Sequence, residues 1–216
     1  YQDNTQKTGV LFQNDSHEQE TKIRFQTQHY LEQWKVAAGT NFQYSDYGNA
    51  TRSVLYNINY NTGIDFMKYG LFAKAERKFL DDNLGFSFGF RVDADSFSQG
   101  SSMIDNFSPR MALTYNLTED ETWKINASVG RYFKIPTYTM LGYQNSQTRF
   151  VNKDAKYIRS DHLVTGLEYA PGNASRITIE GFYKKYSQYP VSLIDGVSPL
   201  NIDIGSIKGT KLGSED

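Results

Sequence analysis

Apolar residues fall at every second position through most of the chain, a period that gathers them on one face of an extended strand. The clearest stretch runs from Asn83 to Asp93, where Leu84, Phe86, Phe88, Phe90 and Val92 share one face and Gly85, Ser87, Gly89, Arg91 and Asp93 the other. Trp34, Val36 and Ala38 alternate with Lys35, Ala37 and Gly39, and Met111, Leu113, Tyr115 and Leu117 with Arg110, Ala112, Thr114 and Asn116. Trp123, Ile125, Ala127 and Val129 alternate with Lys124, Asn126, Ser128 and Gly130, and Ile177 and Ile179 with Thr178 and Glu180. Each segment is about ten residues long; a sandwich strand has about five or six, whereas a strand crossing a bilayer at a tilt needs about 9–11. Apolar outside and polar inside, repeated at that length, is the pattern of an outer-membrane barrel.

The breaks between segments supply a second test. Short turns are expected near Tyr30 to Gln33, Leu80 to Asn83, Thr118 to Glu121 and Ala170 to Ala174, alternating with long connections. Such barrels have short periplasmic turns and longer extracellular loops. The expected crossings are Thr21 to His29, Trp34 to Tyr44, Lys68 to Phe79, Leu84 to Asp93, Ser108 to Leu117, Trp123 to Phe133, Tyr157 to Tyr169 and Arg176 to Ser187. Val54, Tyr56, Ile58 and Tyr60 also alternate, and are assigned to a structured extracellular loop because a membrane strand there would invert everything upstream. The fold class expected is all-β: an antiparallel up-and-down meander from a transmembrane β-barrel, about eight membrane strands in an incomplete barrel. Residues 1–216 form a single partial domain, with extracellular loops near 45–67, 94–107, 134–156 and 188–209.

Composition sharpens this. Of 216 residues 38% are apolar, yet 15% are aromatic, with 16 Tyr and 14 Phe, unlike a soluble core filled with Leu, Ile and Val. Lys plus Arg number 23 against 24 for Asp plus Glu, so the net charge is -1 and no basic footprint for nucleic acid is present. The absence of Cys removes disulfide scaffolds, thiol catalysis and Cys-based zinc sites. Apolar runs reach three residues or so, far short of the roughly twenty a transmembrane helix needs. No signal peptide opens the chain, and a start at Tyr1 without Met reads as a mature form or a piece of something larger.

Six sequence segments resemble the TonB-dependent outer-membrane receptors, particularly those of Bacteroides-like bacteria. They are Tyr69-Gly-Leu-Phe-Ala-Lys-Ala-Glu76, Leu84-Gly-Phe-Ser-Phe-Gly-Phe-Arg-Val-Asp93 and Phe107-Ser-Pro-Arg-Met-Ala-Leu-Thr-Tyr-Asn-Leu117, then Ala127-Ser-Val-Gly-Arg-Tyr-Phe-Lys-Ile-Pro136, Gly166-Leu-Glu-Tyr169 and Ile179-Glu-Gly-Phe-Tyr-Lys-Lys185. The resemblance implies a piece of a plugged barrel in the bacterial outer membrane that captures a scarce ligand and imports it. The ligand would be an iron chelate, cobalamin, or glycan or peptide material. The partners implied are outer-membrane lipid, the receptor's own plug domain and a TonB-type energy transducer, both of which engage regions without a counterpart here. A small self-contained barrel acting as a passive pore or adhesin is the alternative.

Candidate ligand contacts lie in the long loops: Tyr138, Tyr143, Gln144, Arg149 and Tyr157, flanked by Thr137 and Asn145. Aromatics with amides and an Arg suit a sugar or an aromatic chelate through stacking and orienting hydrogen bonds. The competing reading, aromatic girdle or packing within the loops, is the commoner fate of a barrel tyrosine. Arg91, Asp93, Arg110 and Glu168 are expected on a wet, salt-bridged lumenal wall. His17, His29 and His162 lie far apart, so no metal site is expected and no cofactor either. Asp93-Ala-Asp95 with Gly100 echoes a calcium loop only faintly, and Asp81-Asp82-Asn83 reads as a turn. No nucleophile constellation or phosphate loop occurs, so no enzyme is expected.

Overall fold

The computed structural model describes residues 2–9, 11–54, 57–172, 174–192 and 212–215. The strands are β1 (Gln2–Thr8), β2 (Phe12–Leu31), β3 (Trp34–Ser53), β4 (Ile58–Phe79), β5 (Leu84–Asp95), β6 (Ser108–Asn116), β7 (Trp123–Lys134), β8 (Ile158–Tyr169) and β9 (Ile177–Ser187). They form one antiparallel meander in the order β1 to β9, with β1 and β9 as its two edges. A single helical turn, α1 (Tyr138–Leu141), interrupts the β7–β8 connection, and β10 (Tyr189–Ser192) pairs with β11 (Leu212–Glu215) apart from the main sheet.

Register makes the two faces continuous. Ala75, Phe88, Met111, Val129, Leu163 and Tyr183 are successive cross-strand partners, as are Phe79, Leu84, Tyr115, Ile125, Leu167 and Ile179. These rows make an exposed apolar band that only a hydrocarbon phase can cover at this extent. On β3 the band runs from Trp34 to Tyr44, roughly 34 Å along the strand, or about 24 Å once tilted by about 45°. That height matches the apolar belt of a membrane barrel. Trp34 meets Phe79 edge-on at 6.2 Å and Trp123 packs on Tyr169 at 4.4 Å, giving the short-turn rim an aromatic girdle. Arg77 is the cation at this rim, its guanidinium 5.5 Å from the Trp34 ring and 4.6 Å from that of Phe79.

The opposite face is polar and close-packed against its own glycines. A Cβ on Gly39 would fall 2.6 Å from the Phe72 ring, and one on Gly70 would strike Asp93 Oδ1 at 2.3 Å. Arg91 and Asp93 pair at 2.5 Å and Arg91 also donates to Asn41 at 2.8 Å, while Glu168 pairs with Arg176. Arg110 departs from the expected salt-bridged wall: its guanidinium lies 4.3 Å from the Tyr132 ring instead. Gly130, its partner in register, leaves the space in which those two side chains meet.

The eight expected crossings correspond to β2 through β9. Three findings concern what lies beyond the band. β2 starts at Phe12 rather than Thr21, and β1, unforeseen, pairs only with its outer half, from Gln2↔Glu18 to Thr8↔Phe12. The 45–67 stretch, expected as structured extracellular loop, continues the ladder, with β3 and β4 paired from Trp34↔Arg77 to Ser53↔Ile58. Its backbone groups are satisfied by the ladder itself. Of the alternating residues in this stretch, Tyr56 lies outside the described residues, as do residues 193–209 of the 188–209 loop. The Asp81-Asp82-Asn83 turn is a turn indeed: Asn83 N–H donates to the Leu80 carbonyl at 3.0 Å.

Candidate functional site

The long-loop end of the sheet carries the molecule's only buried apolar cluster among the described residues. Lumenal side chains Tyr47, Ile64 and Phe66 project from β3 and β4, and the β7–β8 connection folds inward over them. Pro136, lacking an N–H, helps end β7, and α1 then drops Tyr138 and the fully buried Leu141 onto the cluster. Phe97 of the β5–β6 connection joins them, 5.9 Å from Phe66 and 5.2 Å from Phe150. The two connections are also bonded to each other, with Gln99 N–H donating to the Lys153 carbonyl at 2.6 Å and Tyr157 N–H to Ser101 Oγ at 3.1 Å.

Two polar anchors secure this fold-over. The Tyr138 hydroxyl donates to Glu20 at 2.5 Å and meets Ser45 at 3.2 Å, while Lys68 reaches both Tyr138 and Glu20. Burial works to raise the Glu20 pKa, but hydrogen bonds from Lys22, Tyr138 and Lys68 outweigh it and hold the carboxyl at about 2. Burial first, and Glu20 second, push the Tyr138 phenol up. At the second anchor Tyr157 donates to Asp95 Oδ2 at 2.7 Å, and burial followed by the Asp95 charge drives its phenol well above the usual range. Asp95 also accepts from Phe97 N–H, Ser98 N–H and the Ser98 hydroxyl, so its oxygens are committed to the loop.

Beside the folded-over connection lies a concave polar surface of about 380 Å³. β1 contributes Gln2, Asn4 and Gln6, β2 contributes Asn14, Ser16 and Glu18, and β3 contributes Tyr47, Asn49 and Thr51. Tyr60 and Thr62 complete the wall from β4, and Thr139 and Tyr143 come from the connection. Asn14 Oδ1 accepts from Asn49 at 3.1 Å and from Thr51 at 2.6 Å, fixing these side chains across β2 and β3. Tyr60 donates to the Gly142 carbonyl at 3.1 Å and accepts from Gln144 N–H at 3.0 Å, with its ring 6.0 Å from that of Tyr143. Among the described residues no Lys or Arg lines the surface. A larger groove, about 890 Å³, opens among charged turn residues at the other end, including Lys35, Glu76, Lys78 and Asp82.

Of the five residues singled out from sequence, only Tyr143 lines the polar surface. Tyr138 and Tyr157 are 8% and 4% exposed and serve as the anchors above. Gln144 forms a one-pair bridge with Phe150, and Arg149 is exposed on a turn that Asn145 organises by accepting from Gln147 and Arg149 N–H groups. Thr137 precedes α1 without a side-chain cap. The amides of β1 and β2 were missed, although Gln2, Asn4 and Gln6, then Asn14, Ser16 and Glu18, alternate as visibly as any apolar run. The histidines stay apart: His17 pairs with Asp46 at 2.9 Å, His29 with Thr27 at 2.8 Å, and His162 packs 4.6 Å from the Tyr132 ring.

Known structures share this architecture at low sequence identity. The outer membrane transporter YddB from Escherichia coli aligns with a TM-score of 0.56 and 18% identity over 83% of this chain and 26% of its own. The copper transporter OprC aligns at 0.61 and 14%, over 83% and 31%. The alcaligin outer membrane receptor FauA from Bordetella pertussis aligns at 0.55 and 12%, over 96% and 35%. This chain therefore spans about a quarter to a third of those structures. No curated protein matches its sequence. The profile of the TonB dependent receptor-like β-barrel family matches residues 1–212, and the apolar band, the girdle and the short-turn and long-loop ends follow from membership: the chain belongs to that family of bacterial outer-membrane barrels.

Proposed function

We propose that this chain is barrel wall of an energised outer-membrane importer, and that the polar surface beside Tyr143 takes part in capturing an uncharged, hydroxyl- or amide-rich ligand, glycan or peptide, ahead of an anionic chelate. The carrying observation is the lining: amides, hydroxyls and three tyrosines converge there with one carboxylate, and among the described residues no Lys or Arg joins them. Fixed amides orient hydroxyl groups, and the Tyr60–Tyr143 pair offers a ring face for stacking. An anionic iron chelate would be held by Arg or Lys, which this surface lacks. The copper transporter and the alcaligin receptor share the fold at 14% and 12% identity, which carries no ligand across.

Titration of the intact receptor with neutral oligosaccharides, neutral peptides and ferric catecholate chelates tests the reading. Binding of a neutral ligand should weaken on the order of tenfold in Tyr143→Ala and in Asn49→Ala. Binding of the chelates alone, indifferent to both substitutions, would overturn it. Uptake that persists after the energy transducer is deleted would instead favour the passive pore.

A further inference from the structure

The β7–β8 connection, residues 135–157, contributes Thr139 and Tyr143 to the wall of the polar surface. Among its described residues regular structure amounts to one helical turn, α1, and the single bridge Gln144↔Phe150. A segment of that kind is placed by what it packs on, not by its own hydrogen bonds. Two tyrosines of the wall hold it from the front: the Tyr47 and Thr139 hydroxyls lie 3.1 Å apart, and Tyr60 donates to the Gly142 carbonyl and accepts from Gln144 N–H. Support from behind comes first through Tyr138, whose ring lies 5.3 Å from Phe66 and 6.2 Å from Tyr47 while its hydroxyl donates to Glu20. It comes next from the β5–β6 connection. Phe97 is shared between Phe66 of β4 and Phe150, the bridge partner of Gln144, and Gln99 N–H donates to the Lys153 carbonyl. Here the two backbones touch, since a Cβ on Gly100 would lie 2.1 Å from the Asp154 carbonyl oxygen.

Neither Tyr138 nor Phe97 lines the polar surface, and no other described residue of the β5–β6 connection does. We propose that Tyr138 and Phe97 are positioning residues of that surface, holding the β7–β8 connection where Thr139 and Tyr143 complete its wall. The surface and the β5–β6 connection are thereby coupled without touching. The wall is complete only while α1 is docked, so the apparent affinity for a ligand is the intrinsic one scaled by the docked fraction. Linkage makes the coupling reciprocal: a ligand that grips Tyr143 also holds the β5–β6 connection in place. The assignment rests on the polar surface being the ligand site, and adds to it a control of affinity from a second connection.

Hydrogen exchange and ligand titration of the intact receptor test the assignment. In the ligand-free receptor Phe97→Ala should speed exchange of the Gln144 amide about a hundredfold, and Phe97→Leu, which refills the space, should restore most of the protection. Tyr138→Phe keeps the ring on Phe66 and loses only the hydroxyl bonds, so its effect should be about tenfold; it carries the test should Phe97→Ala fail to fold. Unchanged exchange at Gln144 in the folded variants would overturn the proposal, and this arm needs no ligand. Titrated with neutral oligosaccharides, Phe97→Ala should bind about tenfold and Tyr138→Phe about threefold more weakly. In the unmodified receptor, oligosaccharide at a hundred times its Kd should slow exchange of the Gln99 amide by up to about a hundredfold. Binding that Tyr143→Ala weakens but neither positioning variant does, or Gln99 exchange indifferent to ligand, would also overturn it. Failure of the unmodified receptor to bind any neutral oligosaccharide would count against the ligand reading, and Gln144 exchange alone would then decide whether the two connections are coupled.

Discussion

Two environments divide β3 along its own length. From Trp34 to Tyr44 its outward side chains are mostly apolar, and so are their register partners on β4, from Ala75 to Met67. From Ser45 to Ser53 the outward partners become Asp46 with Asp65 and Gly48 with Gly63, while the lumenal side chains Ser45, Tyr47, Asn49 and Thr51 form polar and aromatic contacts. The ladder is the same in both halves. In the inner half lipid imposes the pattern, because every outward side chain meets hydrocarbon. In the outer half water accepts either kind of residue, so order comes from pairing, from side-chain bonds across strands and from the connection folded over the lumenal face. A strand can therefore be rigid without being amphipathic.

The sharpest break between the halves is a charge placed on each outward face. Leu113 sits mid-band between Phe86 and Ala127 in register, and Leu113→Arg should cost about 2–4 kcal/mol of folding free energy in the intact barrel. Ala50→Arg, on the exposed outward side of the extension beside Asp15, should change it by no more than about 0.5 kcal/mol. Urea titration of the receptor in lipid vesicles measures both. Equal costs would mean that the extension also lies in hydrocarbon, and the division of β3 would fail.

The same division explains what the sequence made legible. Leu84 to Val92 declares its strand and its faces because lipid on one side and water on the other leave a period-two trace. Gln2 to Thr8 declares nothing by hydropathy, being polar on both faces, and its strand exists through pairing with Phe12 to Glu18. At the candidate site Tyr138, Tyr143 and Tyr157 look alike as loop tyrosines. Which of them is buried depends on Glu20 and Asp95, carboxylates 118 and 62 residues away in the chain, and local sequence holds no record of that. The Asn14, Asn49 and Thr51 ladder was recoverable in principle, since alternation of amides and hydroxyls is a period-two signal too. Hydropathy alone leaves it silent, because both faces of this segment are polar.

An intermediate effect concerns how the connection is held to the extension. Glu20 titrates at about 2 in the folded protein against 4.5 ordinarily, so its contribution is fully present above pH 4.5 and is lost as pH falls through about 2. Hydrogen exchange of the α1 amides should therefore accelerate between those limits, while amides of β6 and β7 keep their protection. In Glu20→Gln the acid step should disappear and α1 exchange should be faster already at neutral pH. An acid step of unchanged size in that variant would place the titrating group elsewhere and detach the connection from β2.

The smallest expected effect asks whether side-chain bonds alone order the outer half. Thr51 is buried, and its hydroxyl lies 2.6 Å from Asn14 Oδ1 and 2.8 Å from Asn49 Oδ1, one proton shared between two carbonyl oxygens. Thr51→Val keeps shape and β propensity while removing that proton, and should cost about 1 kcal/mol. Because the loss is local, amides of β2 and β3 around Asn14 and Thr51 should lose about fivefold in protection, and those around Phe25 and Thr40 in the band should not change. Loss extending into the band would show that the two halves open as one unit, with the polar ladder and the lipid-facing rows cooperating. Confinement to the outer half would show that β3 carries two independently stabilised segments on a single unbroken ladder, the outer one free to open around a ligand while the wall in the membrane stays closed.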